Sequence, residues 1–282
     1  MPVAVVTDST AYLPAELRGM YDLTVVPLTV VIDDVPGIEG SEITPIEVAR
    51  ALQARSSVRT SRPSPAEFAE AYQKLFDAGA DGIVSVHLSS RLSGTYDAAC
   101  LAAADFGSRI RVVDSSTTAM GLGFVALGAT TAAAEGGSLD EVHRAAVQHS
   151  GQVSTLFYVD TLEFLRRGGR IGAASALLGT ALAVKPILHV VDGSIVVRDK
   201  VRTAGRALAR LVDLAVEASG AGAVDIAVHH LGAPDRAAAL ADAVTMRLGD
   251  RLRDCYITEI GAVVAAHVGP GVAGVVVHRR AG

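Results

Sequence analysis

The sequence predicts an α/β protein of two domains, a mainly parallel Rossmann-like sheet followed by a mixed-sheet α/β unit. Three observations carry this. Valine-rich strands alternate with alanine-rich helices over most of the 282 residues, the pattern of a largely parallel, buried sheet. A hydrophobic fraction of 50% is ample for a packed core. The pattern changes past the polar His149–Gln152 stretch, where Asp192-Gly193 between two apolar runs predicts an antiparallel hairpin. The expected domains are therefore residues 1–152 and 153–282.

Along the first domain, "VAVVTDS" (Val3 to Ser9), Leu23 to Ile32, "GIVSVHLS" (Gly82 to Ser89) and Ile110 to Ser115 read as strands. Thr44-Pro45 and Ser64-Pro65 each place a capping residue before a first-turn proline, so both start helices. The charge-free run from Ser115 to Ala134 approaches bilayer-spanning length, but it is rich in Gly, Ala, Ser and Thr and reads as a buried soluble helix. A second helix follows Gly136-Gly137, capped by Ser138. In the second domain "VSTLFYV", the Asp192-Gly193 hairpin, "DIAVHH", "CYITEI" and "GVAGVVV" are strands. Thr203 to Ala218 and Pro234 to Leu248 are helices.

Composition narrows the function classes. A net charge of −5 argues against a nucleic-acid-binding surface. The N-terminal "MPVAVVTDST" lacks a basic, then apolar, export signal, so the cytoplasm is the expected location, with no stable membrane span. Cys100 and Cys255 lie far apart without C-x-x-C spacing, which predicts core residues and no metal site. Adjacent strand residues point to opposite faces, so His229-His230 is not expected to hold a metal either.

Four segments gather groups suited to an anion. Thr60-Ser61-Arg62-Pro63-Ser64 precedes a helix N-terminus, where free N–H groups and the dipole favour negative charge; the alternative is a plain Ser64 cap. "LSSRLSGT" follows the strand Gly82 to Ser89, so Ser93, Gly94 and Thr95 should face the crevice at the strands' carboxyl ends. Ser93 lacks the G-x-S-x-G setting of a nucleophile elbow and reads as a donor, or as a structural helix cap. "FLRRGGRIG" places Arg166, Arg167 and Arg170 around two glycines that permit close backbone approach; the alternative is a basic helix end with a glycine cap. Arg198, Lys200 and Arg202 extend the positive charge or form a solvated edge. "AAHVGPG" sets His267 at a helix end beside a turn, where it can reach a cleft or serve structure alone. Asp8-Ser9-Thr10 and Asp114-Ser115-Ser116 end strands and are read as crevice wall.

In this order, "VTDST", "TSRPS", "LSSRLSGTY", "VVDSS", "FLRRGGRIG", "KPIL…DG" and "HVGPG" resemble the DegV family, over nearly the whole chain. The resemblance implies a two-domain α/β protein that holds one long-chain fatty acid, its carboxylate near the domain interface and its acyl chain buried. It also implies a non-catalytic role, in which a separate fatty acid kinase phosphorylates the bound carboxylate with ATP to an acyl phosphate. Carried over by motif, the carboxylate ligands are Thr60 or Ser61, Ser93 with the Gly94 amide, and His267. Arg170 and Arg202 fall to a phosphate region or partner-docking face. No cofactor beyond the fatty acid is implied, and membrane contact would be transient. Two other classes stay open: an enzyme, either a serine-dependent lipid or ester hydrolase using Ser93 and His267 or a kinase-like phosphotransferase, and a small-molecule sensor. The phosphotransferase reading lacks G-x-x-x-x-G-K-[ST].

Overall fold

In a computed structural model of the chain, which describes residues 2–177 and 184–280, three sheets form. The strands are β1 (Val3–Asp8), β2 (Leu23–Val26), β3 (Thr29–Ile32), β4 (Val35–Ile38), β5 (Val58–Ser61), β6 (Gly82–His87), β7 (Ile110–Asp114), β8 (Val153–Tyr158), β9 (Lys185–Val191), β10 (Ser194–Val201), β11 (Val224–His230), β12 (Leu252–Glu259) and β13 (Ala273–Arg279). The α-helices are α1 (Ala15–Met20), α2 (Pro45–Gln53), α3 (Pro65–Asp77), α4 (Thr95–Ala103), α5 (Met120–Ala134), α6 (Leu139–Ser150), α7 (Glu163–Arg167), α8 (Ala204–Ser219), α9 (Pro234–Leu248) and α10 (Ala262–Val268).

The first sheet is wholly parallel, in the order β2-β1-β6-β7. Alternation along its strands sends neighbours to opposite cores: Val5 joins α5 and α6 residues such as Leu122 and Val142, while Val6 joins Phe68 and Tyr72 of α3. Buried on both faces, these strands carry the near-continuous apolar runs that the sequence shows. The mixed sheet follows the order β10-β9-β8-β13-β11-β12, with only β11 and β12 parallel. One face packs on α8 and α9 through residues such as Leu211 and Val244. Its other face places Ala227 and Val276 in the core shared with α5, so the two large sheets enclose that helix. No helix of the described residues is long and apolar enough to cross a membrane.

Three features depart from the sequence reading. The predicted strand Leu23 to Ile32 is two strands in different sheets, because Pro27 has no N–H to continue a ladder. Leu28 instead donates its N–H to the Ser9 hydroxyl at 3.0 Å. The piece after the break, β3, becomes the centre of a small antiparallel sheet, β4-β3-β5, which the sequence does not announce. Leu28, Val30, Val48 and Leu52 of this region pack with Phe157, Leu165 and Val263 from the second half of the chain. The cysteines are not core residues: Cys255 is exposed on the edge strand β12, and Cys100 is half-buried on α4.

Candidate functional site

Four elements converge on one cavity of about 360 Å³. Thr60 and Ser61 come from β5, Leu92, Ser93 and Gly94 from the loop between β6 and α4, Arg170 from the turn after α7, and His267 from α10. The remaining walls are mainly apolar, with Leu28, Phe157, Leu165, Ile195, Val264 and Val276 among them. Arg202 is exposed beyond the end of β10 and does not line the cavity. Arg166 and Arg167 are exposed, with Glu163 beside both.

Each polar group has a local reason for its place. Strand alternation turns Thr60 inward and Ser61 outward, and Thr60 Oγ1 lies 2.9 Å from His267 Nε2. The Ser61 hydroxyl donates to the Arg62 carbonyl at 3.3 Å. Ser64 is a cap: its hydroxyl accepts the Glu67 amide at 3.3 Å and Glu67 accepts the Ser64 amide at 2.7 Å, which closes a capping box at the α3 N-terminus. The capping alternative is thus present at that helix end, and Thr60 lines the cavity from a strand.

Ser93 sits before α4, where its hydroxyl accepts the Thr95 amide at 3.3 Å and lies 2.9 Å from Thr95 Oγ1. Among the described residues no hydrogen bond joins Ser93 to His267, and no carboxylate orients the imidazole. Burial first, and then the nearby Arg170 guanidinium, hold the His267 pKa down to about 4, so the ring is neutral at pH 7. Its Nδ1 is buried without a hydrogen-bond partner among the described residues.

Arg170 ties the crevice together. Its Nε donates to the Leu92 carbonyl at 2.9 Å and its Nη1 to the Gly168 carbonyl at 2.6 Å, so these two donors serve backbone carbonyls. The two glycine-rich motifs also interlock. A Cβ on Gly168 would strike the His267 ring, and one on Gly269 would strike Phe164. Gly169 adopts the left-handed conformation (φ 70°) that ends α7, so the glycines serve helix termination and mutual packing.

A second polar group borders the cavity, and most of it is already paired. His229 Nε2 accepts the Met120 amide at 3.1 Å and its Nδ1 lies 2.8 Å from Thr258 Oγ1; Thr155 pairs with Thr117 at 2.8 Å. Thr118 Oγ1 is buried without a partner among the described residues. Sequence reasoning assigned no ligand role to His229, Thr155 or Thr118, whose neighbours give no motif signal. Among the described residues no cluster of side chains suits a metal ion.

The chain's relatives share this architecture. The model of the DegV family, described as an uncharacterised protein family, matches residues 2–280. A DegV domain-containing protein of Streptomyces coelicolor is 55% identical over 281 residues, covering 99% of each chain. One from Mycobacterium tuberculosis is 42% identical, covering 98% of this chain and 97% of its own. Among solved structures, a fatty-acid-binding DegV family protein from Thermus thermophilus superposes with a TM-score of 0.94 at 35% identity, covering 99% of this chain and 100% of its own. DegV of Bacillus subtilis, a fatty acid binding protein, gives 0.89 at 31% identity over the same shares. By this full-length match the chain belongs to the DegV family.

Proposed function

We propose that the protein binds one long-chain fatty acid, with the acyl chain in the apolar cavity and the carboxylate at Thr60, Ser93, the Gly94 amide and His267. The observation that carries the reading is the cavity itself: mainly apolar walls, with hydroxyls and a neutral imidazole converging from separate elements. A carboxylate leaving water needs donors in place of its hydration, and a chain buried in such walls gains roughly 0.8 kcal/mol per methylene. Affinity then comes from the chain, and the polar corner sets orientation. The fatty acids bound by the Thermus and Bacillus relatives support the same ligand class.

The protein is on this reading a carrier without catalysis of its own. It presents the carboxylate to a separate ATP-dependent kinase, where a carboxylate oxygen attacks the γ-phosphoryl group and ADP leaves. The motif resemblance supports this partner, with Arg202 on the exposed face available for docking and Arg170 holding the crevice loop. Native mass spectrometry and lipid extraction of freshly purified protein test the ligand: an acyl chain is expected. No acyl chain, together with no binding of added oleate, overturns the reading. Acyl phosphate should form from ATP only when the kinase is added. A hydrolase reading is disfavoured by the missing bond between Ser93 and His267.

A further inference from the structure

We infer that Glu39 and Tyr12 are positioning residues, which hold the N-terminus of α10 and thereby fix where the His267 imidazole stands in the carboxylate corner. The helix needs such a hold. It has seven residues, too few to persist without tertiary support, and its N-cap Gly261 has no side chain with which to satisfy the first amides.

The missing cap is supplied from a distant part of the chain. Glu39 Oε1 accepts the Val263 N–H at 2.8 Å, and the Tyr12 hydroxyl oxygen accepts the Val264 N–H at 3.1 Å. The Tyr12 hydroxyl in turn donates to Glu39 Oε1 at 3.0 Å, and the Ser9 hydroxyl donates to Glu39 Oε2. Glu39 is only 8% exposed, so its carboxylate meets the positive end of the helix out of water's reach, where that interaction is strongest. Gly261 is required by the fit, since a Cβ there would strike both the Tyr12 ring and Glu39. Tyr12 itself is held at φ 47°, a left-handed conformation that a bulky residue keeps only when its surroundings impose it.

One small sheet grips the helix at both ends. Glu39 directly follows β4, with its N–H on the Leu28 carbonyl at 3.0 Å, and β4 pairs with β3. On the other side of β3 lies β5, whose Thr60 meets His267 at 2.9 Å near the C-terminal end of α10. The imidazole is thus placed by two anchors on the same sheet, one at each end of a helix about 10 Å long. Freeing the first anchor lets the helix shift, and the His267 ring with it, while the walls that Phe157, Ile195 and Val276 supply from other elements stay in place.

The inference rests on the carboxylate-binding reading, and the experiment separates the two. Binding of oleate and of methyl oleate is measured by displacement of a fluorescent acyl probe, alongside thermal unfolding and the ring ¹⁵N signals of His267. In Glu39→Ala, oleate affinity should fall about tenfold, methyl oleate should change by less than about twofold, and the His267 signals should shift. Glu39→Gln keeps an oxygen to accept the Val263 amide and should recover oleate affinity to within about threefold of wild type. Tyr12→Phe should lose about threefold for oleate only. Equal losses for both probes, unchanged oleate affinity, or unmoved His267 signals overturn the positioning role. Failure of both Glu39→Ala and Tyr12→Phe to fold assigns the pair to stability and also overturns it. A wild-type protein that does not distinguish oleate from its ester overturns instead the carboxylate reading beneath it.

Discussion

Two polar clusters flank the loop from Leu88 to Gly94, and they are built oppositely. On the sheet side, Tyr72 donates to Ser85 at 2.8 Å, Ser85 lies 2.7 Å from His87 Nε2, and His87 Nδ1 lies 3.1 Å from Asp8. Asp8 also accepts the Leu88 amide and both the amide and hydroxyl of Thr10. Ser85, His87 and Asp8 thus stand in the bonding order of a hydrolase triad, yet all three are 0% exposed and the Ser85 oxygen is occupied by Tyr72. On the cavity side, Thr60, Ser93 and His267 come from three elements, and the His267 Nδ1 has no partner among the described residues. Closed satisfaction is what a scaffold requires, whereas convergent and incompletely paired polar groups beside a cavity are what a binding site requires.

Substitutions should separate the two clusters. The largest effect is expected from Asp8→Ala, which strands the His87 N–H, the Leu88 amide and Thr10 in a buried space: a loss of about 3 to 5 kcal/mol in urea unfolding. A stable Asp8→Ala protein with altered ligand handling would break the comparison. His267→Ala and Ser93→Ala should do the reverse, weakening oleate binding about tenfold while unfolding stability moves by ~1 kcal/mol or less. Global unfolding of both variants would make the corner structural.

Acid gives a third contrast. The folded pKa of His267 lies near 4, below the ordinary 6.5, so the unfolded chain binds the proton first. Its contribution to stability is therefore intact above pH 6.5 and lost as pH falls toward 4. The slope approaches about 1.4 kcal/mol per pH unit. Urea unfolding across that window should show a shallower acid decline in His267→Ala. The smallest effect is expected for Arg202→Ala, which should leave oleate binding within about twofold because the residue is exposed and away from the cavity. The same variant should reduce kinase-dependent acyl phosphate formation if the exposed face docks the partner.

Much of the fold is legible because its signals are local. Valine runs signalled β1, β6 and β7, a cap before a first-turn proline signalled α2 and α3, Ser138 after Gly136-Gly137 signalled α6, and Asp192-Gly193 signalled the β9–β10 hairpin. The small sheet was not legible. Pro36 and Gly37 hide β4, β5 has four residues, and only the pairing of both with β3 makes them strands. The candidate site was legible as a set of donor-bearing motifs. The opposite orientation of Thr60 and Ser61 was not, because it follows from strand alternation in a sheet the pattern did not reveal. Glu39 carried no signal either, since the amide it caps lies 224 residues away.

The sequence by itself determined where most strands of the two large sheets and the capped helices begin, which motifs carry hydroxyls, amides and an imidazole, and that Ser93 lacks the G-x-S-x-G setting of a nucleophile. Propensities and caps act over a few residues, so a single chain displays them. Only the tertiary structure decided which of these groups meet. Thr60 and His267 are separated by 207 residues and come into contact because apolar burial packs the small sheet against α10. The same packing sealed Ser85, His87 and Asp8 away from solvent, which no local pattern distinguishes from an open triad.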